Sequence, residues 1–282
     1  MIDAHIHFWE PARRDDILIV QREPSLNIRA MPEELAPLLA AAGVDAAIAI
    51  QSAPNGDETD HLIETSAKMP AIKGVVGWVD LTAPDVAAQL AALAQRPKVK
   101  GVRAMLNRVD GIDWLTRAAV QTGVAAVRDA GLSLDLITRT EHIPAVAKTA
   151  AAFPDLTIIV DHGASPPSGK PGFAEWQAGI EMLGVHKSVF TKFSGLAEEA
   201  APDWNAKTLE PALRHLLRCF GPDRLMWASN WPVIDLRGGY ARWVAESRTL
   251  LDNAGLSAAG RRAIEETTAR TAYRIDATKH TP

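Results

Sequence analysis

Two histidines two positions apart, His5 and His7, lie in the apolar opening run Ile2-Asp3-Ala4-His5-Ile6-His7-Phe8-Trp9. Alternate side chains of a β-strand share a face, so both imidazoles point the same way. Two imidazoles at the exit of a buried strand suit a metal ion or a polar substrate oxygen. A hydrogen-bonded pair of core histidines is the ordinary alternative. Later apolar runs also end in polar residues: Gln51, then Trp78 and Asp80, Arg103 and Asn107, Asp135 and Arg139, Asp161 and His162, Lys192 and Ser194, and Ser229 and Asn230. A core does not bury such groups without partners, because each unpaired one costs on the order of 1–3 kcal/mol. Their convergence at one mouth is therefore the signal. Arg103 suits binding of a carboxylate or polarisation of a carbonyl, with a salt bridge to a strand-end acid as the alternative. Lys192 is out of place in Phe190-Thr191-Lys192-Phe193; it either binds substrate oxygens or pairs with an acid. His162 is expected at the mouth, and its neighbour Asp161 toward the helix layer as a structural carboxylate. Trp9, Trp78 and Trp231 lie beside the mouth, where an indole can stack on a sugar ring or wall a pocket.

A repeating unit spaces these residues. After the opening run, strands are predicted at Val44 to Ile50, Ile72 to Val79, Lys100 to Leu106, Leu132 to Ile137, Leu156 to His162, Val189 to Ser194 and Arg224 to Ser229. A helix follows each one, and a last helix runs from Ser257 to Ile275. The helix opening at Met31-Pro32-Glu33-Glu34 should end at Gly43. Strands apolar on both faces, such as Thr157-Ile158-Ile159-Val160, fit a parallel sheet covered by helices. Eight such units in 282 residues predict a single (β/α)8 TIM barrel over residues 1–282. The helix-to-strand links are short. The strand-to-helix links Glu10 to Ala30, Gly163 to Gly172, Gly195 to Ala206 and Asn230 to Gly239 are long and read as loops. The active site is therefore expected at the C-terminal ends of the strands.

Composition narrows the partners. With 47% hydrophobic residues and a net charge of -4 from scattered charges, neither a nucleic-acid nor a membrane surface is indicated. The longest apolar stretch, Leu35 to Ile50, is broken by Pro37, Gly43 and Asp45. The lone cysteine, Cys219, is expected to be a small buried apolar residue. A strand that starts at once leaves no room for a signal peptide, so a cytoplasmic protein is expected. A homo-oligomer is left open. The tail Asp276 to Pro282 is expected to fray.

The motifs resemble a known family. The opening Ile2-Asp3-Ala4-His5-Ile6-His7-Phe8-Trp9 is similar to that of the amidohydrolase superfamily. Val75-Val76-Gly77-Trp78-Val79-Asp80-Leu81, Gly101-Val102-Arg103, Val160-Asp161-His162-Gly163, Lys192-Phe193-Ser194-Gly195-Leu196 and the run from Asp223 to Val233 resemble its sugar-acid lactonase branch, of the L-fuconolactone and L-rhamnonolactone type. The resemblance implies a barrel that opens a lactone by water attack on the ring carbonyl. It implies His5, His7, His162 and position 230 in the catalytic site, with Arg103 and Lys192 on the substrate side, Arg103 polarising the ring carbonyl; the strand-end reading adds Gln51, Trp78, Trp9 and Trp231 around the substrate. In metal-using members the histidines matching His5, His7 and His162 can hold one divalent ion, zinc first; other members work without metal.

One position departs from the pattern. The family usually has Ser-Asp-Trp-Pro where this chain has Ser229-Asn230-Trp231-Pro232. That aspartate is both a metal ligand and the base that activates water, and Asn does neither well. Three readings stay open: an introduced change that silences the enzyme, a natural subgroup using another base, or a barrel that only binds a lactone. Isomerisation of a lactone without metal is a further alternative. If Asn230 is native, His162 or Asp135 is the expected substitute base.

Overall fold

The computed structural model describes residues 1–11 and 17–275. Eight parallel strands follow in chain order around a nearly closed barrel: β1 (Ile2–Ile6), β2 (Ala46–Ile50), β3 (Ile72–Gly77), β4 (Val99–Met105), β5 (Ser133–Ile137), β6 (Ile158–Val160), β7 (Val189–Phe193) and β8 (Leu225–Trp227). Closure runs through the residues after β8. Ile6 bridges Trp231 in parallel, His7 N donates to Trp231 O at 2.8 Å, and Asn230 N donates to His5 O at 2.9 Å.

The covering helices are α1 (Leu18–Arg22), α2 (Pro32–Ala42), α3 (Gly56–Ala67), α4 (Val86–Ala94), α5 (Ala118–Asp129), α6 (Ile143–Ala152), α7 (Phe173–Gly184), α8 (Leu196–Glu199), α9 (Ala206–Phe220), α10 (Gly239–Asn253), α11 (Ala258–Arg262) and α12 (Thr268–Ala272). The expected stop of α2 is present: Gly43 adopts φ 64°, ψ 36°, where a side chain would be strained. No helix among the described residues is long and apolar enough to cross a membrane. Long strand-to-helix connections and short returns put the elaborated segments at one face, as the spacing implies.

Four expectations need correction. The segment Glu10 to Ala30 is not a plain loop: it carries α1 and a 3-10 turn at Pro24–Leu26, and Trp9 and Ala30 exchange backbone hydrogen bonds at 2.9 Å. The buried Ile17 and Leu26 hold it onto the barrel. The segment after Gly195 contains α8. The last helix is interrupted by a π-turn at Ala263–Thr267, and Tyr273, just after α12, lies in the barrel interior. Cys219 is half-buried rather than buried. The tail from Asp276 and His280 lie outside the described residues.

Candidate active site

The interior of the barrel is built on an ion cluster. Lys192, on β7, is fully buried, with Nζ 2.7 Å from Asp135 Oδ2 and 2.8 Å from Asp161 Oδ1. Asp161 Oδ2 accepts from Arg103 Nη1 at 3.1 Å, and Arg103 Nη2 donates to the Gln51 backbone carbonyl. Tyr273 OH donates to Asp135 Oδ2 at 2.6 Å. Burial raises Asp135 above its ordinary value. Burial would raise Asp161 too, but Lys192, His5 and Arg103 overcome it and hold Asp161 well below the carboxylate range.

Asp161 corrects the orientation expected of it. It stays on the barrel side, as Ile159 does two positions earlier, while His162 adopts a left-handed φ of 55°. That turn breaks the alternation, so both residues face inward. A similar device acts in β1. The β1–β2 register slips between Asp3 and Ile6, putting an extra residue in β1. Ile2 and Ala4 can therefore join the interior cluster while His5 also turns inward to Lys192. Bulges that re-aim a side chain commonly sit beside active sites.

The three histidines meet above this cluster. His7 Nδ1 donates to Ile50 O at 2.8 Å, because a carbonyl only accepts, and this leaves a lone pair on Nε2. His5 Nδ1 receives from Lys192 Nζ at 3.0 Å, so its Nε2–H donates to His7 Nε2 at 3.1 Å. His162 Nδ1 bonds Ser194 Oγ at 2.8 Å. Burial lowers all three, to about 3 for His7 and about 4 for His162, so each is neutral at pH 7. Neutral imidazoles whose second nitrogen is held by a carbonyl, hydroxyl or carboxylate are the form that ligates a metal. For His5 this takes the Nδ1–H tautomer, with Asp161 Oδ1 at 3.5 Å as acceptor. The group whose spacing suits one divalent ion is a His/Asp/His set that does not include His7. His5, Asp161 and His162 form a compact group, their ligand atoms within 4.8 Å of one another.

A cavity of about 220 Å³ opens over His7 and His162. Trp9, Arg103 and Asn230 line it, and the buried Trp9 Nε1 and Arg103 Nε have no hydrogen-bond partner among the described residues. His5, Gln51 and Lys192 lie beneath, outside the lining; Trp231 is buried, and Trp78 is half-buried away from the lining. Asp135 is likewise locked below. Three arginines, Arg22, Arg108 and Arg139, stand around the mouth. Missing from the sequence reading is Glu198, on α8, which lines the same cavity. Its Oε1 accepts from Asn230 Nδ2 at 2.8 Å, and burial raises it to about 7. Its one sequence signal is a pair of acids just past the lysine strand.

The chain can be compared with known proteins on this footing. A family profile described as amidohydrolase matches residues 2–275. The chain belongs to the amidohydrolase family. This amidohydrolase is 35% identical over 247 residues to an L-fucono-1,5-lactonase of Burkholderia ambifaria, covering 86% of this chain and 85% of that one. A second L-fucono-1,5-lactonase, from Burkholderia multivorans, is 32% identical and covers 97% and 96%. The crystal structure of an amidohydrolase from Burkholderia multivorans with bound zinc superposes with a TM-score of 0.90 at 29% identity, covering 97% of this chain and 99% of that one.

Gly195 shows how tightly this amidohydrolase packs its site. At φ 70°, an added Cβ would lie 2.4 Å from His162 Cβ. Gly195→Ala is therefore expected to destabilise the fold by about 1–3 kcal/mol, read as a lowered unfolding midpoint. An unchanged midpoint would mean that the α8 turn is not tied to His162.

Proposed function

We propose that the protein opens a sugar-acid lactone to the free acid, and that its preferred lactone carries a carboxylate. The observation behind the finer part is the arginine group at the mouth. Arg22 and Arg108 have no ion-pair partner among the described residues, and Arg139 meets only Glu199, at 3.5 Å. Burial and the like charge of Arg22 lower Arg108 from its ordinary value. An anion between these guanidiniums relieves that repulsion. The relatives named as lactonases support the reaction class.

In this reading the ring carbonyl lies against Arg103, whose free Nε–H stabilises the oxyanion that develops as water attacks. His5 and His162 would hold a divalent ion, zinc first. When bound, it supplies a Lewis acid and an acidified water. Trp9 walls the cavity and offers its indole N–H to a substrate oxygen. Lys192 works from beneath, pairing Asp161 and Asp135; with a metal on His5 Nε2 its contact to His5 Nδ1 gives way to the Nδ1–H···Asp161 Oδ1 pair.

The test is indicator-monitored acid release from a panel of aldonolactones and carboxylated lactones, beginning with L-fucono-1,5-lactone, with product identification. Arg108→Ser should raise KM for carboxylated lactones by about 10–100-fold, the loss of one charge-assisted hydrogen bond, and leave uncharged lactones within about twofold. Equal effects on both kinds of ring would remove the carboxylate. A ring-shifted lactone as product would favour isomerisation, and binding without turnover a silent barrel.

A further inference from the structure

We propose that Glu198 is the base that takes the proton of the attacking water, with Asn230 as its positioning residue. The inference rests on the lactonase reading above. Glu198 lines the same cavity as His7, His162 and Arg103. It is carried by α8, whose first residue follows Gly195, and Gly195 lies against His162. One carboxylate oxygen is taken: Oε1 accepts from Asn230 Nδ2 at 2.8 Å. The other, Oε2, is shielded from solvent and has no hydrogen-bond partner among the described residues. A carboxylate oxygen left this way is costly unless a water or a ligand meets it.

Asn230 is itself fixed. Its N–H donates to His5 O at 2.9 Å and its carbonyl receives from Ile234 N at 3.2 Å. It sits at φ 63°, a region Asn tolerates better than most residues. An aspartate there would put a second carboxylate against Glu198, and two such groups share a proton instead of both ionising. Asn230 and Glu198 therefore fit as a pair: the amide donates, and the single negative charge sits on α8. Around it stand Glu199, drawn off by Arg139 at 3.5 Å, and Arg237, whose Nη2 donates to Glu198 O at 3.4 Å. His162, neutral, is on the Gly195 side. A value of about 7 suits a base working near neutrality, whereas His162 at about 4 is a weak one and Asp135 is held by Lys192 and Tyr273.

The step balances. Water oxygen bonds to the ring carbonyl carbon while one of its protons passes to Glu198 Oε2. The carbonyl π pair moves onto oxygen, beside Arg103. When the tetrahedral centre collapses, the ring C–O bond breaks and the departing oxygen takes the proton back. Lactone and water become hydroxy acid, and the carboxylate is restored.

The experiment compares wild type, Glu198→Gln, Glu198→Gly with added formate, and Asn230→Asp on the same lactone panel, with a melting curve for each. Glu198→Gln should stay folded and lose about 100- to 10,000-fold in kcat. Formate should return at least about tenfold of the activity lost in Glu198→Gly, which a purely structural role would not allow. The acid limb of kcat/KM in wild type should lie near pH 7, vanish in Glu198→Gln and move upward in Asn230→Asp. Acid release by a folded Glu198→Gln within about threefold of wild type overturns the base and leaves the lactonase reading standing. A lost activity that formate does not restore also overturns it. No acid release by wild type from any lactone overturns the lactonase reading itself, and the base falls with it.

Discussion

Lys192→Met lowers the stability of the fold by about 3–5 kcal/mol, the cost of breaking a buried ion pair from one side. The ammonium has no solvent exposure and lies within 3.0 Å of Asp135, Asp161 and His5 Nδ1. Methionine fills much of the same volume, so the loss is one of charge rather than packing. Two buried carboxylates then remain, with the Arg103 guanidinium still paired to Asp161 and the neutral His5 beside it. Adding Asp135→Asn removes one of them and should recover part of the loss, which a double-mutant cycle in a denaturant series measures. Single and double variants both within about 1 kcal/mol of wild type would show that water or a proton replaces the lysine at little cost. His5 reports the same change, because without the ammonium its Nδ1 loses the donor that sets its tautomer.

Arg103→Lys should reduce kcat by about 100- to 1,000-fold while the protein stays folded, the usual effect of removing one donor to a developing oxyanion. The guanidinium is divided among three tasks: Nη1 to Asp161, Nη2 to the Gln51 carbonyl, and Nε with no partner beside the cavity. A lysine can keep the charge next to Asp161, but it cannot hold both lower contacts and still present a donor above. Steady-state kinetics with a melting curve decide it. A kcat within about fivefold of wild type would place the oxyanion elsewhere.

Both expectations turn on contacts that no local pattern announces. Alternating apolar runs and helices, the helix stop at Gly43 and the long connections at one face were enough to read the barrel and the end that carries its site. They are local properties: strand period, cap geometry and loop length follow from neighbouring residues. The inward pair His5 and His7 was legible for the same reason, although the extra residue in β1 was not. Asp161 was misplaced because alternation was assumed to hold through His162, whose left-handed backbone breaks it. Glu198 went unseen because it falls in a segment that reads as loop, and one short turn anchored on His162 makes it part of the cavity. Lys192 was even between two roles on sequence; its neighbours put it under the cavity rather than in it. His5 and Lys192 stand 187 positions apart, and Tyr273 reaches Asp135 across 138. Only closing the barrel brings such groups together, and the solvent-shielded interior it creates decides which charge is paired and which imidazole is neutral.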